Sequence, residues 1–140
     1  MESTFQTPVF VYGTLKPGGF YHDTYCGGFR FDTEAGQVNG ELFDFPSLGY
    51  PGAIESEASH IKGFLLTFHH SESEVLGKLD LLEGYDQERR PEENEYYRTR
   101  VSVFDEKRRV VCDQAWCYFM KPEKITRLNG VLLESGCWPI

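Results

Sequence analysis

Apolar residues along the chain fall into short runs and alternating patterns that predict a protein rich in β-strands. The first run, Val9-Phe10-Val11-Tyr12, is unbroken and therefore suits a strand covered on both faces. The glycines and the proline within residues 13–19 end this strand in a loop. Backbone N–H groups around a glycine can form an anion-binding concavity, and the missing Cβ of Gly13 would let the main chain approach a ligand. The loop is therefore either a candidate binding site or an ordinary turn.

Later segments also have strand patterns and are bounded by turn-forming residues. They span residues 29–33, 40–45, 61–69, 96–104 and 110–120. In 96–104 the odd-numbered residues, from Tyr97 to Val103, share the face that we expect to pack in the core. Residues 46–54 contain two prolines and two glycines. They predict a loop that is packed by its own apolar side chains and is able to cover a pocket.

One segment has a clear helical pattern. Ser71 and Glu74 have the spacing of a capping box, and Gly84 is placed to end the helix. Between them, one helical stripe carries the apolar residues Val75, Leu76, Leu79 and Leu82. A second, short helix is predicted near residues 125–128, before a packed tail, whereas residues 20–26 fit either a helical turn or irregular structure.

Glu83 is unusual for a residue at the end of this helix. It lies four residues after Leu79, at the edge of the apolar stripe, so its carboxyl points toward the core. The negative end of the helix dipole also disfavours a carboxylate there. Both effects raise a carboxyl pKa toward the range that suits a general base near neutral pH. The alternatives are that Glu83 pairs with an arginine or points into solvent from a frayed last turn.

Composition and charge narrow the class of protein. The 140 residues suffice for one domain, which we expect to span 1–140, and 40% of them are hydrophobic and 15% aromatic. The formal net charge is -8, with 22 acidic and 14 basic residues. Such a surface repels phosphate backbones and anionic membranes, so neither nucleic acid nor a membrane is an expected partner.

The cysteines do not suggest a metal site or a secreted disulfide framework. Cys26, Cys112, Cys117 and Cys137 form no CxxC pair and have no histidines at zinc-finger spacing. The start of the chain is polar and acidic and has no signal peptide. We therefore expect free thiols in a cytoplasmic protein.

Two other constellations have weak support. His69-His70 with Glu72 and Glu74 suggests a metal site only superficially, because adjacent strand residues point to opposite faces and the acids fit the helix cap. A thiol enzyme that pairs a cysteine with His22 or His60 is the other candidate, but no spacing favours a particular pair.

An ordered set of motifs resembles the gamma-glutamylcyclotransferase family, including its AIG2-like and gamma-glutamylamine cyclotransferase branch. The matching stretches are Val9-Phe10-Val11-Tyr12-Gly13-Thr14-Leu15-Lys16, Gly49-Tyr50-Pro51, Leu79-Asp80-Leu81-Leu82-Glu83-Gly84-Tyr85, Tyr96-Tyr97-Arg98-Thr99-Arg100-Val101-Ser102-Val103 and Ala115-Trp116-Cys117-Tyr118. No single motif is specific, but their order and spacing extend through most of the chain. The resemblance implies an α+β fold, a small, mostly antiparallel β-barrel with helices packed around a cavity.

The resemblance also implies a reaction. The α-amine of a γ-glutamyl group attacks its own γ-carbonyl, which closes 5-oxoproline and releases the attached amine, and neither a cofactor nor a metal is needed. Glu83 matches the family's catalytic glutamate, and Tyr12, Gly13, Thr14 and Leu15 match its substrate-binding loop. Arg98 and Tyr118 either line the cavity or have structural roles.

The substrate stays open among glutathione, γ-glutamyl amino acids and γ-glutamylated amines or lysine, and the oligomeric state is not indicated. The alternative function is a non-catalytic module of the same fold that binds a small carboxylate or regulates a partner. An inward-facing acid at the unfavourable end of a helix favours the enzyme.

Overall fold

The computed structural model describes residues 6–13, 15–16, 29–86, 88–90 and 93–138, which contain eight strands and two helices. The strands are β1 Thr7–Val11, β2 Phe31–Asn39, β3 Glu41–Phe45, β4 Tyr50–Ile54, β5 His60–Phe68, β6 Tyr97–Phe104, β7 Val110–Phe119 and β8 Val131–Leu132. The helices are α1 Glu72–Leu82 and α2 Pro122–Arg127. The expectations for residues 20–26 and for Cys26 lie outside the described residues.

Five strands form a barrel in the order β1-β5-β2-β6-β7. Its long ladders are antiparallel, since β5 pairs with both β1 and β2 and β6 pairs with β7. The barrel closes through a short parallel contact between Val9 of β1 and Trp116 of β7. A second sheet has the order β4-β3-β8. The predicted α+β fold with mostly antiparallel strands is therefore confirmed.

Strand β1 is buried on both faces, as its unbroken apolar run predicts. Val9 and Val11 belong to one hydrophobic cluster, whereas Phe10 and Tyr12 belong to another. The alternating direction of strand side chains explains this division. The end of β1 is therefore anchored from two sides, which fixes the position of the residues that follow it.

Helix α1 packs against the first of these clusters through its predicted stripe. Val75 and Leu79 are fully buried. The hydroxyl of Ser71 accepts a hydrogen bond from the N–H of Glu74 at 3.3 Å and donates one to the Glu74 carboxylate at 2.9 Å. The helix begins where the capping signal predicts.

Residues 46–54 differ from the expected loop, because their second half is strand β4. Tyr50 pairs with Phe45 and Ile54 with Glu41 across the whole length of β3. Pro51 is tolerated because β4 is an edge strand of its sheet, where a missing N–H leaves no interior ladder bond unmade. The tip of the segment does not pack on itself, since Leu48 is exposed.

The two faces of β6 are less different than the alternation predicts. Val103 is fully buried on the expected core face. Tyr96, which precedes the strand on the opposite face, is also buried, and Arg98 is largely covered. Helix α1 covers this second face, because its Asp80 pairs with Arg98.

The C-terminal part contains the predicted short helix, which begins three residues before residue 125, but the tail is only partly packed, since Val131 and Leu132 are exposed. Pro122 occupies the first turn of α2, where its missing N–H costs no hydrogen bond. Beyond β8, the indole of Trp138 donates to Asp44 at 3.3 Å. None of the helices among the described residues has the length and apolar character needed to cross a membrane.

Candidate active site

A cavity of about 160 Å³ lies where the end of β1, the start of β4, the end of α1 and the residues before β6 meet. Its walls are formed by Phe10, Val11, Tyr12, Gly13, Leu15, Tyr50, Pro51, Leu82, Glu83, Glu95, Tyr96 and Tyr118. Four of the five residues that the sequence nominated for a site therefore line one cavity. The fifth, Thr14, lies outside the described residues.

The loop after β1 is fixed by contacts on several sides. The Tyr12 hydroxyl donates to the backbone carbonyl of Tyr118 at 2.7 Å, and the N–H of Lys16 bonds the Gly13 carbonyl at 3.0 Å. The Lys16 ammonium donates to the carbonyl of Trp138 at 2.5 Å, which ties the loop to the chain end. The cavity-facing residues of this loop are thus held before any ligand arrives.

Gly13 is required by a close approach of the chain to itself. A Cβ at this position would lie 2.9 Å from Cγ of Pro51, closer than real Cβ contacts. The sequence suggested that the missing Cβ makes room for a ligand. In the structure the ring of Pro51 occupies that space, so the glycine allows β4 to pack against the loop.

Glu83 caps the C-terminus of α1, and the chain turns sharply after it. Its N–H bonds the carbonyl of Leu79 at 3.0 Å. Gly84 has a φ of +61°, which favours glycine, and the N–H of Tyr85 reaches back to the carbonyl of Asp80 at 3.1 Å. This turn ends the helix with the side chain of Glu83 facing the cavity.

The surroundings of the Glu83 carboxyl favour its protonated form. Burial, followed by repulsion from Glu95 and Asp80, raises the pKa from 4.5 to about 8. Among the described residues, no lysine, arginine or histidine forms an ion pair with this carboxyl. The alternative of an arginine partner is therefore not seen there, and the carboxyl faces the cavity with a pKa near neutral.

Glu95 is a second carboxylate on the cavity wall. In the sequence it belongs to the mixed charge run of residues 88–95, a pattern typical of a solvated surface. Its N–H donates to the carbonyl of Gly84 at 3.0 Å, which holds it beside the end of α1. The hydroxyl of Tyr50 donates to its carboxylate. No local pattern marks it as a cavity residue, because the bonds that orient it come from Gly84 and Tyr50.

Asp80, Arg98 and Tyr118 form a hydrogen-bonded group behind the cavity. Arg98 binds the Asp80 carboxylate through Nε at 2.9 Å and Nη2 at 3.2 Å. The Tyr118 hydroxyl donates to the same carboxylate at 2.5 Å. Because Tyr118 also lines the cavity, this group braces its wall and balances the charge of Asp80 one helical turn from Glu83.

The tyrosines around the cavity present neutral hydroxyls. Burial raises the pKa of Tyr12, Tyr96 and Tyr118 well above the ordinary value. The Tyr96 hydroxyl donates to the carbonyl of Pro51 at 2.6 Å. Glu83 is thus the group on this wall whose proton is exchangeable near neutral pH, which suits it to accept a proton from a small ligand and return it.

Metal-binding and thiol chemistry find little support in the described residues. They contain no group of three or more histidine, cysteine or acidic side chains able to hold a metal ion. The Nε2 atom of His69 is 2.8 Å from the Asp32 carboxylate, and Nε2 of His70 accepts the N–H of Arg30 at 2.8 Å. Cys112, Cys117 and Cys137 are free thiols, and none of them lines the cavity.

Comparison with known proteins gives a consistent result for sequence and fold. A family model described as gamma-glutamyl cyclotransferase, AIG2-like, matches residues 9–139. The protein "Putative gamma-glutamylcyclotransferase MJ1514" of Methanocaldococcus jannaschii is 30% identical over 129 residues, which cover 91% of this chain and 92% of that protein.

Solved structures share the fold at lower identity. The crystal structure of a mouse AIG2-like protein superposes with a TM-score of 0.68 and 20% identity, covering 96% of this chain and 88% of the other. YkqA of Bacillus subtilis gives a TM-score of 0.61 and 22% identity over 95% of this chain. The chain spans only 39% of the YkqA structure.

Proposed function

Because the chain belongs to the gamma-glutamyl cyclotransferase, AIG2-like family, we propose that it converts a γ-glutamyl group to 5-oxoproline and releases the attached amine. The family supports gamma-glutamylcyclotransferase-like activity on small γ-glutamyl substrates. The observation that carries the proposal for this chain is the cavity shared by Glu83 and the loop of Tyr12, Gly13 and Leu15. We extend the loop's proposed binding role to Thr14.

In the proposed reaction Glu83 moves protons one at a time. The α-ammonium of the γ-glutamyl group gives a proton to the Glu83 carboxylate, and the resulting amine attacks the γ-carbonyl carbon. A new C–N bond closes the five-membered ring, and the bond from the γ-carbon to the leaving nitrogen breaks as that nitrogen takes the proton from Glu83. The restored Glu83 carboxylate then removes the second extra proton from the ring nitrogen and passes it to the released amine, which departs as an ammonium. Two protons thus move from the α-nitrogen to the leaving nitrogen, and atoms and charge balance without a second reactant.

The pKa of Glu83 suits both halves of this exchange. A carboxyl whose pKa is about 8 is a much stronger base than an ordinary glutamate, so it accepts a proton from an ammonium more readily. Once protonated, it is still acidic enough to protonate the departing amine. Ring closure within one molecule supplies the proximity that a two-substrate reaction must obtain from binding.

The loop after β1 is proposed to bind the negatively charged parts of the substrate. Tyr12, Gly13 and Leu15 line the cavity, and backbone N–H groups at such a turn can hold a carboxylate or the oxyanion of the tetrahedral intermediate. The bond of Lys16 to the Trp138 carbonyl and the close contact of Pro51 with Gly13 hold the turn in place. The loop can therefore act without rearranging when charge develops.

Product analysis by mass spectrometry tests the proposal. Wild type and Glu83→Gln are incubated with γ-glutamyl amino acids, γ-glutamyl amines, a γ-glutamyl lysine derivative and glutathione. We expect 5-oxoproline from the wild type and almost none from the variant. If neither folded protein yields 5-oxoproline from any compound, the alternative of a non-catalytic module that binds small carboxylates takes precedence.

A further inference from the structure

A second cavity, of about 640 Å³, adjoins the candidate active site, and Glu95 and Tyr96 line both. The loop before β6 and helix α2 form its walls. Among the described residues its lining contains four cations and two carboxylates: Arg89, Lys121, Lys124, Arg127, Glu95 and Glu123. This local excess of positive charge contrasts with the net charge of -8 for the whole chain.

Two of the cations are fixed in place by neutral oxygens. The Lys124 ammonium donates to the backbone carbonyl of Asn94 at 2.6 Å. Arg89 donates from Nε to the Asn94 side-chain oxygen at 3.1 Å and from Nη2 to the Gly84 carbonyl at 2.9 Å. Asn94 itself is buried. These bonds orient the two side chains but do not cancel their charges, and each cation keeps further donor protons.

Two arginines of β6, by contrast, pair with carboxylates. Arg98 binds Asp80 at 2.9 Å, and Arg100 binds Glu72 at 3.2 Å. No described carboxylate lies within ion-pairing distance of any of the four cations in the second cavity. Glu95 is one of the two acids on this wall, and the hydroxyl of Tyr50 occupies one of its oxygens. The cavity is therefore built to attract an anion.

We propose that this basic cavity binds a carboxylate on the leaving group, which makes γ-glutamyl amino acids or γ-glutamyl peptides the substrate class. The inference rests on the proposed function, because in that reaction the leaving group is the part of the substrate on the far side of the γ-carbonyl from the reacting α-amine. The first cavity places Glu83 and Glu95 where the α-ammonium would react, and the second places cations beyond them. A substrate with an ammonium at its reacting end and a carboxylate on its leaving group matches this arrangement of acids in the first cavity and cations in the second.

Binding to the Glu83→Gln variant tests the inference without requiring turnover. The two probes are γ-glutamylalanine and γ-glutamylethylamide, which differ only in the leaving-group carboxylate. We expect the alanine compound to bind at least about tenfold more tightly, as a charge-assisted contact in a partly desolvated site allows. Calorimetric titration gives both dissociation constants.

Charge-removal variants in the same background locate the site. Arg127→Gln combined with Lys121→Gln is expected to reduce the preference to about threefold or less, because both side chains are exposed groups on the cavity wall. Lys124→Met should also reduce it, with folding checked by circular dichroism. Lys107→Gln, in the turn between β6 and β7, removes one charge far from the cavity and should leave the preference unchanged.

The outcomes separate this inference from the proposed function. Equal affinity for the two probes, binding of neither, or a preference that survives the cavity variants would overturn the carboxylate site. Turnover by the wild type is followed separately with the same two compounds. A binding preference without any 5-oxoproline would refute the reaction and leave the carboxylate site standing.

Discussion

Glu83→Gln is expected to stabilise the protein increasingly as the pH rises. In the folded chain Glu83 keeps its proton up to a pKa of about 8, whereas the unfolded chain releases it near the ordinary value of 4.5. A carboxyl with a raised folded pKa contributes stability that is complete below 4.5 and is lost as the pH rises to about 8. Glutamine stays neutral, so it avoids that loss.

The magnitude follows from the two pKa values. Each unit between them corresponds to about 1.4 kcal/mol, so the loss in the wild type reaches about 3 kcal/mol at pH 7 and about 5 kcal/mol above pH 8. These figures are upper bounds, because Glu83 is only partly buried as a whole residue and solvent screens some of its charge. Glu83→Gln avoids this loss, and even half of the resulting stabilisation is large beside a typical unfolding free energy of about 5–15 kcal/mol.

Urea unfolding of wild type and variant between pH 5 and pH 9 measures the effect. The difference in unfolding free energy should be small at pH 5 and should increase steadily in favour of Glu83→Gln. Glu57→Gln, which removes an exposed carboxylate between β4 and β5, controls for net charge. A difference that is constant across this pH range would refute the reasoning, because it would mean that the Glu83 carboxyl is not desolvated in the folded protein.

Two further substitutions test how the site is held. Gly13→Ala places a Cβ 2.9 Å from Cγ of Pro51. We therefore expect the free energy of unfolding in urea to fall by about 1–3 kcal/mol and substrate binding to weaken. An unchanged free energy of unfolding would contradict this contact. Arg98→Met leaves the largely covered Asp80 carboxylate without its ion-pair partner, which should cost about 2–4 kcal/mol. It should also move the pH dependence of activity upward, because uncompensated Asp80 repels ionised Glu83 more strongly; an unshifted profile would show that Asp80 does not influence Glu83.

Local signals account for what the sequence predicts well. The helix start at Ser71, the turn at Gly84 and the apolar stripe all lie within one segment, so they fix the helix and the direction of Glu83 without tertiary information. The buried strand β1 is predictable for the same reason, because an unbroken apolar run needs cover on both faces. One half of the candidate site follows from these two elements.

Long-range pairing accounts for what the sequence does not predict. The composition of residues 46–54 favours a loop, but pairing with β3 imposes strand β4 on a segment that contains Pro51. In the sequence, Glu95 resembles the other residues of a solvated charge run. In the structure it is held at the cavity by bonds to Gly84 and to Tyr50, which lies 45 residues earlier in the chain. Tertiary contacts of this kind leave no periodic pattern in the chain.

The face of β6 that carries Arg98 illustrates the same point. Alternation along the strand assigns the charged residues to the side away from the core. In the structure α1 covers that side, and Asp80 neutralises the arginine there. Alternation along a strand shows which side chains share a face. Charged residues on one face do not by themselves show that this face is exposed to solvent.

The central claim is that the Glu83 carboxyl transfers the proton in γ-glutamyl cyclisation. The most direct measurement is the kcat for 5-oxoproline formation by Glu83→Gln beside the wild type, on the best substrate at pH 7.5 or near it. We expect kcat to fall about 10²–10⁴-fold with little change in KM, in a variant that is more stable than the wild type. A kcat within about fivefold of the wild-type value would contradict it, since general acid–base catalysis is worth far more than that.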